Sequence, residues 1–161
     1  MTDKVKKEVE KIIEKYGYSC SAENFIYRKV AWNTISERES LSEDFIREFQ
    51  DRVIWWKISW HQDLSLDFIR EFQDKVIWTY ISQYKKLPED FIREFQNKVV
   101  WAWISKYQKF SADFYKEFKD RIKIENLIKN RNMNVKVKME VTIEEEEIFI
   151  PIKSRFDILD L

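Results

Sequence analysis

The sequence predicts a mainly α fold, an α-solenoid-like array of short helix-turn-helix repeats with an N-terminal capping helix and a C-terminal β-hairpin. Three observations carry that prediction. Residues 41–109 state nearly the same 23-residue segment three times: LSEDFIREFQDRVIWWKISWHQD from Leu41, LSLDFIREFQDKVIWTYISQYKK from Leu64 and LPEDFIREFQNKVVWAWISKYQK from Leu87. Self-similarity at such a period marks a repeat array, in which each unit buries its apolar face on its neighbours. Apolar residues recur at helical spacing at the N-terminus, and they alternate with polar ones after Asn132.

Taken in order, 161 residues suit one domain. The first element is a capping helix over 3–17, with Val5, Val9, Ile12, Ile13 and Tyr16 on one stripe. Thr2 or Asp3 can cap its start. Gly17, the only glycine, stands where a left-handed C-cap wants one. Its apolar stripe is expected to cover the open end of the repeat stack.

Five repeats are expected over 18–132, with the outer two, 18–40 and 110–132, degenerate. Terminal repeats depart from the pattern because their outer faces must meet water. Within a repeat, Phe45, Ile46, Phe49 and Val53 trace one side of a first helix, and Ile54, Trp55 and Ile58 lie on a shorter second one. Pro88 is tolerable only at a helix start. Glu48–Arg52, Glu71–Lys75, Glu94–Lys98 and Glu117–Arg121 are spaced as i,i+4 ion pairs on an exposed face. A β-hairpin and tail are expected over 133–161. There Val135, Val137, Met139, Val141 and Ile143 point one way, and Ile148, Ile150 and Ile152 mark a second strand that Pro151 confines to an edge.

Composition excludes several function classes. Lys+Arg and Asp+Glu balance at 29 each, so no global field draws in nucleic acid or an anionic membrane. A lone cysteine, Cys20, allows no internal disulfide and suits a reducing compartment. The N-terminus is charged rather than signal-like, and no apolar run approaches the ~20 residues of a bilayer span. These features point to a soluble intracellular protein without a membrane partner.

The chemistry-bearing residues are few. His61 is the only histidine, at a position held by Tyr84 and Tyr107 in the next copies, which suits a surface side chain rather than a ligand or base. One His and one Cys make no zinc site, and one Gly excludes phosphate-cradling loops. Ser59, Ser82 and Ser105 recur without a histidine to activate them and suit helix ends. Asp44, Asp67, Asp90 and Asp113 suit first-turn positions, with Arg47, Arg70 and Arg93 nearby. No cofactor, metal or catalytic residue is expected, and the chain is not read as an enzyme.

Trp32, Trp55, Trp78 and Trp101 recur with the period and are expected in the core. The aromatics that differ between copies are the partner-binding candidates: Trp56 and Trp60, Tyr80 and Tyr84, Trp103 and Tyr107. They either pack between repeats or form a strip for a protein partner, since Trp and Tyr are favoured interface anchors.

The unit LSxDFIREFQxKVxWxxIS resembles a tandem repeat found in many copies in proteins of giant DNA viruses, marseilleviruses among them. The likeness is specific for 41–109, weaker for 18–40 and 110–132, and does not reach the N-terminal helix or the hairpin. It implies a helical repeat protein in the cytoplasm of an infected host cell, in a virus factory or a virion, with no catalytic activity attached. The family often has Asp before the Trp, where this chain has Ala31, Ile54, Ile77 and Val100.

The function expected is therefore that of a non-enzymatic protein-interaction or scaffold module with an unidentified protein partner. Two alternatives stand beside it. The segment 116–138 carries a local excess of Lys and Arg that suits weak nucleic-acid binding through phosphates alone. The strand Val135–Ile143 offers self-assembly into a homodimer. Specificity is expected at 56–57, 60–61, 79–80, 83–84, 102–103 and 106–107, where the copies disagree.

Overall fold

The computed structural model describes residues 1–27 and 29–133. Its contacts gather into two compact units, Met1–Lys85 and Lys86–Leu161. Among the described residues there are ten α-helices and a 3-10 turn at Phe25–Tyr27.

In the first unit, α1 (Asp3–Tyr16) starts at Thr2, whose side chain accepts from Val5 N, and ends at Gly17, with φ 64°. Only glycine meets that left-handed geometry without a Cβ penalty. Val5, Val9 and Ile12 are buried, and α1 packs against α3 (Glu43–Glu48). Its Glu8 accepts from both the backbone and the hydroxyl of Ser42, at 3.0 and 2.6 Å. Glu43 does the same for the backbone N–H of Ser65 at 2.7 Å. The N-terminal helix thus supplies the carboxylate that a preceding repeat would otherwise supply.

Each regular repeat folds as two very short helices. In the first unit these are α3 and α4 (Trp55–His61), then α5 (Leu66–Glu71) and α6 (Trp78–Tyr84), after α2 (Lys29–Arg38) of the degenerate copy. The first helix begins where the Ser42 or Ser65 hydroxyl accepts from the N–H three residues on, at 3.1 Å in each. It ends after six residues at Phe49 or Phe72, and the carbonyl of Phe49 then accepts from Arg52 and Val53. The turn keeps its own backbone satisfied, which lets the chain reverse without solvating buried polar groups. Phe45, Ile46, Ile58, Phe68, Ile69 and Ile81 are fully buried, and α2, α4 and α6 stack side by side. Isolated helices of this length have no stability in water, so tertiary packing holds them.

The second unit repeats the plan with α7 (Glu89–Glu94), α8 (Trp101–Tyr107), α9 (Ala112–Phe118) and α10 (Ile124–Ile128), and α8 packs on α10. Pro88 is the N-cap residue of α7, with φ −63° and no side-chain cap. Ser111 regains the cap on α9, accepting from Phe114 N at 3.1 Å.

Two expectations are corrected. The fold is mainly α, but the β-hairpin assigned to 133–161 is not part of it: no strand occurs among the described residues. Met133, placed at the hairpin's start, is instead buried at the repeat position of Leu87 and Phe110, where its sulfur accepts from Phe110 N at 3.4 Å. Alternation gives a segment two faces, but two strands paired only with each other are marginal in water, so alternation alone does not establish a hairpin. The rest of that segment, 134–161, with Val135, Val137, Met139, Val141 and Ile143, lies outside the described residues. The second correction concerns charge. Glu71 does not meet Lys75 along a helix, because α5 stops at Glu71. It pairs with Arg47 of the previous repeat at 2.8 Å, and Lys75 reaches back to Gln50 and Asp51 at 2.7 and 3.2 Å.

Candidate functional site

The candidate site stands on α4 and α6, and a serine ladder positions those helices. Neither Ile54 nor Ile77, the residues that open them, can cap with its own side chain. The cap comes from the preceding repeat: Ser36 Oγ accepts from Ile54 N at 3.0 Å, and Ser59 Oγ accepts from Ile77 N at 2.9 Å. Ser59 also donates to Trp55 O at 2.7 Å, one turn back in its own helix. In the second unit Ser105 does both, toward Lys123 N and Trp101 O. These hydroxyls are fully buried, so each bond matters: an orphaned donor in that place loses its water as well.

A second latch was not legible as a motif. The side-chain amide of Gln62 donates to Ser36 O and Glu39 O and accepts from Leu41 N at 2.9 Å. Gln108 accepts from Leu87 N at 3.0 Å in the same way. The copy between them has Lys85, which donates to the carbonyls of Trp60 and Gln62. Burial holds the Lys85 ammonium below the usual lysine pKa, against a smaller opposite pull from Asp63. The recurrence of Gln at 62 and 108 was the available signal.

On this frame Trp56, Trp60, Tyr80 and Tyr84 come together. Trp60 stacks on Tyr80 at 5.4 Å and 7° and on Tyr84 at 5.8 Å and 14°. Trp56 closes the group at 6.3 Å from Trp60 and 6.4 Å from Tyr80. His61 stacks on Trp60 at 4.6 Å, which places the only histidine in the stack. The rings bridge two repeats and still face solvent: Trp56 is 42%, Trp60 39% and Tyr84 47% exposed. The rings thus pack between repeats and remain partly exposed. Trp103 and Tyr107 lie in the second unit, 5.7 Å apart, with Lys106 over both rings.

Beside the stack lies Lys57, one of the positions at which the copies differ. It is 5% exposed, its ammonium bonds the Glu37 carboxylate and Asn33 O, and it sits 5.1 Å from the Trp56 ring. The bond from Lys57 holds the Glu37 carboxyl below its ordinary pKa.

The recurring tryptophans are not all core. Trp32 is buried, but Trp55, Trp78 and Trp101 are half-buried. Their indole N–H groups donate to the carbonyls of Gln50, Gln73 and Gln96 at 2.9 to 3.0 Å. An indole has one polar edge, and here that edge is tied to the turn of its own repeat while the ring covers the next repeat's phenylalanines, as Trp55 does Phe72 at 5.1 Å. In the degenerate first copy the 3-10 turn occupies the place of that helix end. The Trp32 N–H there has no acceptor among the described residues.

The acidic ladder is engaged by cations of the protein itself. Asp67 and Asp90 meet Arg70 and Arg93 at 2.8 and 3.0 Å. Asp44 is held below the ordinary carboxylate range by its hydrogen bond from Lys4. No group of three or more His, Cys, Asp or Glu side chains able to hold a metal occurs among the described residues. Cys20 is a half-buried free thiol.

No protein-family model matches the chain. A search of curated proteins and one of solved structures likewise returned no match. Its functional reading therefore rests on the residues themselves. No described helix is long and apolar enough to cross a membrane.

Proposed function

We propose that the protein is a non-enzymatic interaction module, and that the stack of Trp56, Trp60, Tyr80 and Tyr84 is where a protein partner docks. The observation that carries this reading is a cluster of large rings held together in an exposed position on two neighbouring helices. Tryptophan and tyrosine bring more contact area than any other side chains, and they dominate binding energy where they cluster. Rings already stacked on one another lose little freedom on docking, which lowers the cost of association. The positions involved are those at which the copies of the repeat differ, so a common frame carries a unique surface. The likeness of the repeat to those of giant DNA viruses supports the same reading and suggests a viral scaffold.

The test compares full-length wild-type protein with a Trp56→Ala, Trp60→Ala, Tyr84→Ala variant as bait in quantitative affinity capture. The expected result is a protein recovered in near-stoichiometric amount by the wild type and lost by the variant, with the variant's circular dichroism unchanged. Identical capture by both baits, or none by either, would refute the assignment.

A further inference from the structure

The repeat register places a second feature in the other unit. Lys86, Lys109 and Asn132 occupy one repeat position, 23 residues apart, and all three line an open cavity of about 460 Å³. Its apolar walls come from Leu87, Pro88 and Tyr107. Lys86 and Lys109 are exposed, and neither has a partner among the described residues. The segments beside the cavity add Lys106, Lys129 and Arg131, and neither 106–112 nor 126–133 contains an Asp or Glu. The nearest carboxylate in sequence, Glu89, is already engaged by Ser111 N at 2.6 Å and by Arg93 at 3.3 Å. The described residues thus concentrate positive charge along one edge of this unit.

We infer that this edge binds an acidic peptide segment carrying an apolar side chain, the carboxylates meeting Lys86 and Lys109 and the apolar group entering the cavity. Charge complementarity selects an anionic occupant, since cations lining a cleft steer and orient one. The walls select a peptide over a nucleic acid. Binding of single strands draws on bases stacked on free aromatic faces, and the only ring here, Tyr107, is already packed by Trp103 and the Lys106 ammonium. Leu87 and Pro88 suit an aliphatic or phenyl side chain instead. This surface shares no residue with the aromatic stack, and each is tested by its own variants.

The experiment is a fluorescence-anisotropy titration of the full-length protein with labelled DEDEFDEDE peptide. Its comparisons are DEDEGDEDE, a single-stranded oligoadenylate of similar charge, and a Lys86→Glu, Lys109→Glu variant. Lys86→Gln, Lys109→Gln serves if the charge reversal unfolds the unit. The phenylalanine peptide is expected to bind at low salt, to weaken as salt screens the lysines, and to lose about tenfold or more in affinity in the lysine variant. The glycine peptide should bind more weakly. The proposal is overturned by no binding at low salt, by binding indifferent to the lysine variants, by equal affinity for both peptides, or by an oligoadenylate that binds as tightly as the phenylalanine peptide.

Discussion

Replacing Ser59 with alanine tests the logic of the repeat at a single atom. The hydroxyl is fully buried, accepts from Ile77 N at 2.9 Å and donates to Trp55 O at 2.7 Å. Trp55 O loses little, because a helix carbonyl retains its backbone partner. Ile77 N–H loses its only cap, since the side chain of Ile77 offers none. Removing one partner and leaving the other unsatisfied costs about 1–3 kcal/mol, and losing an N-cap costs about 1 kcal/mol. These are two descriptions of one bond, so about 2 kcal/mol is expected rather than their sum. For a unit of the size of Met1–Lys85, that lowers Tm by roughly 8–16 °C. The assay is urea denaturation together with amide hydrogen exchange. The Ile77 amide should lose protection beyond the global loss, while the Ser65-capped Phe68 amide follows the global change. A destabilisation under about 0.5 kcal/mol with Ile77 protection intact would refute the trans-capping account.

Three further outcomes follow from the same geometry. Lys85→Gln should stabilise the first unit by about 1 kcal/mol in urea denaturation, because glutamine restores the acceptor that Gln62 and Gln108 present and removes a half-buried cation. The folded-state pKa of Lys85 is depressed, so the lysine costs stability at neutral pH, and the gain should shrink as pH rises through that depressed pKa and level off above the unfolded lysine pKa of about 10.4. Glu37→Gln should lower the urea midpoint more than Lys57→Met, since the first leaves a buried ammonium without its counter-ion and the second frees an exposed carboxylate to water. The Glu37 pKa is depressed on folding, so its contribution is present above the unfolded carboxylate pKa and is lost on acidification through the folded one; Glu37→Gln should flatten that limb. Finally, the Tyr16 phenol donates to Glu39 at 2.6 Å, a bond that raises its pKa to about 12. Ultraviolet titration should show a late tyrosine that Tyr16→Phe removes, with the associated stability present below about pH 10 and lost toward pH 12.

Much of the repeat was legible because it is periodic. Phe45, Phe68, Phe91 and Phe114 recur in sequence and are all buried, and the Thr2 and Gly17 caps of α1 announce themselves through local chemistry. The aromatic candidates were legible as departures from the period, though not as one stack that includes His61. Other features were not legible because they depend on where a helix stops. Glu71 and Lys75 are four apart in sequence, but the helix that would bring them together ends between them. Lys57 reads only as a place where the copies differ until α2 brings Glu37 and Asn33 against it.

By itself, then, the sequence determined the period and the helical character of each repeat, because those follow from residue type and spacing along one chain. Tertiary structure alone decided the pairing between copies. A hydroxyl caps the next repeat's helix, a glutamine ties the previous one, and an arginine meets a glutamate one repeat on. Such bonds join residues 18 to 26 positions apart, a separation at which only the packing of helix on helix sets the distance. The same packing gathers four aromatic rings from two repeats into one exposed surface.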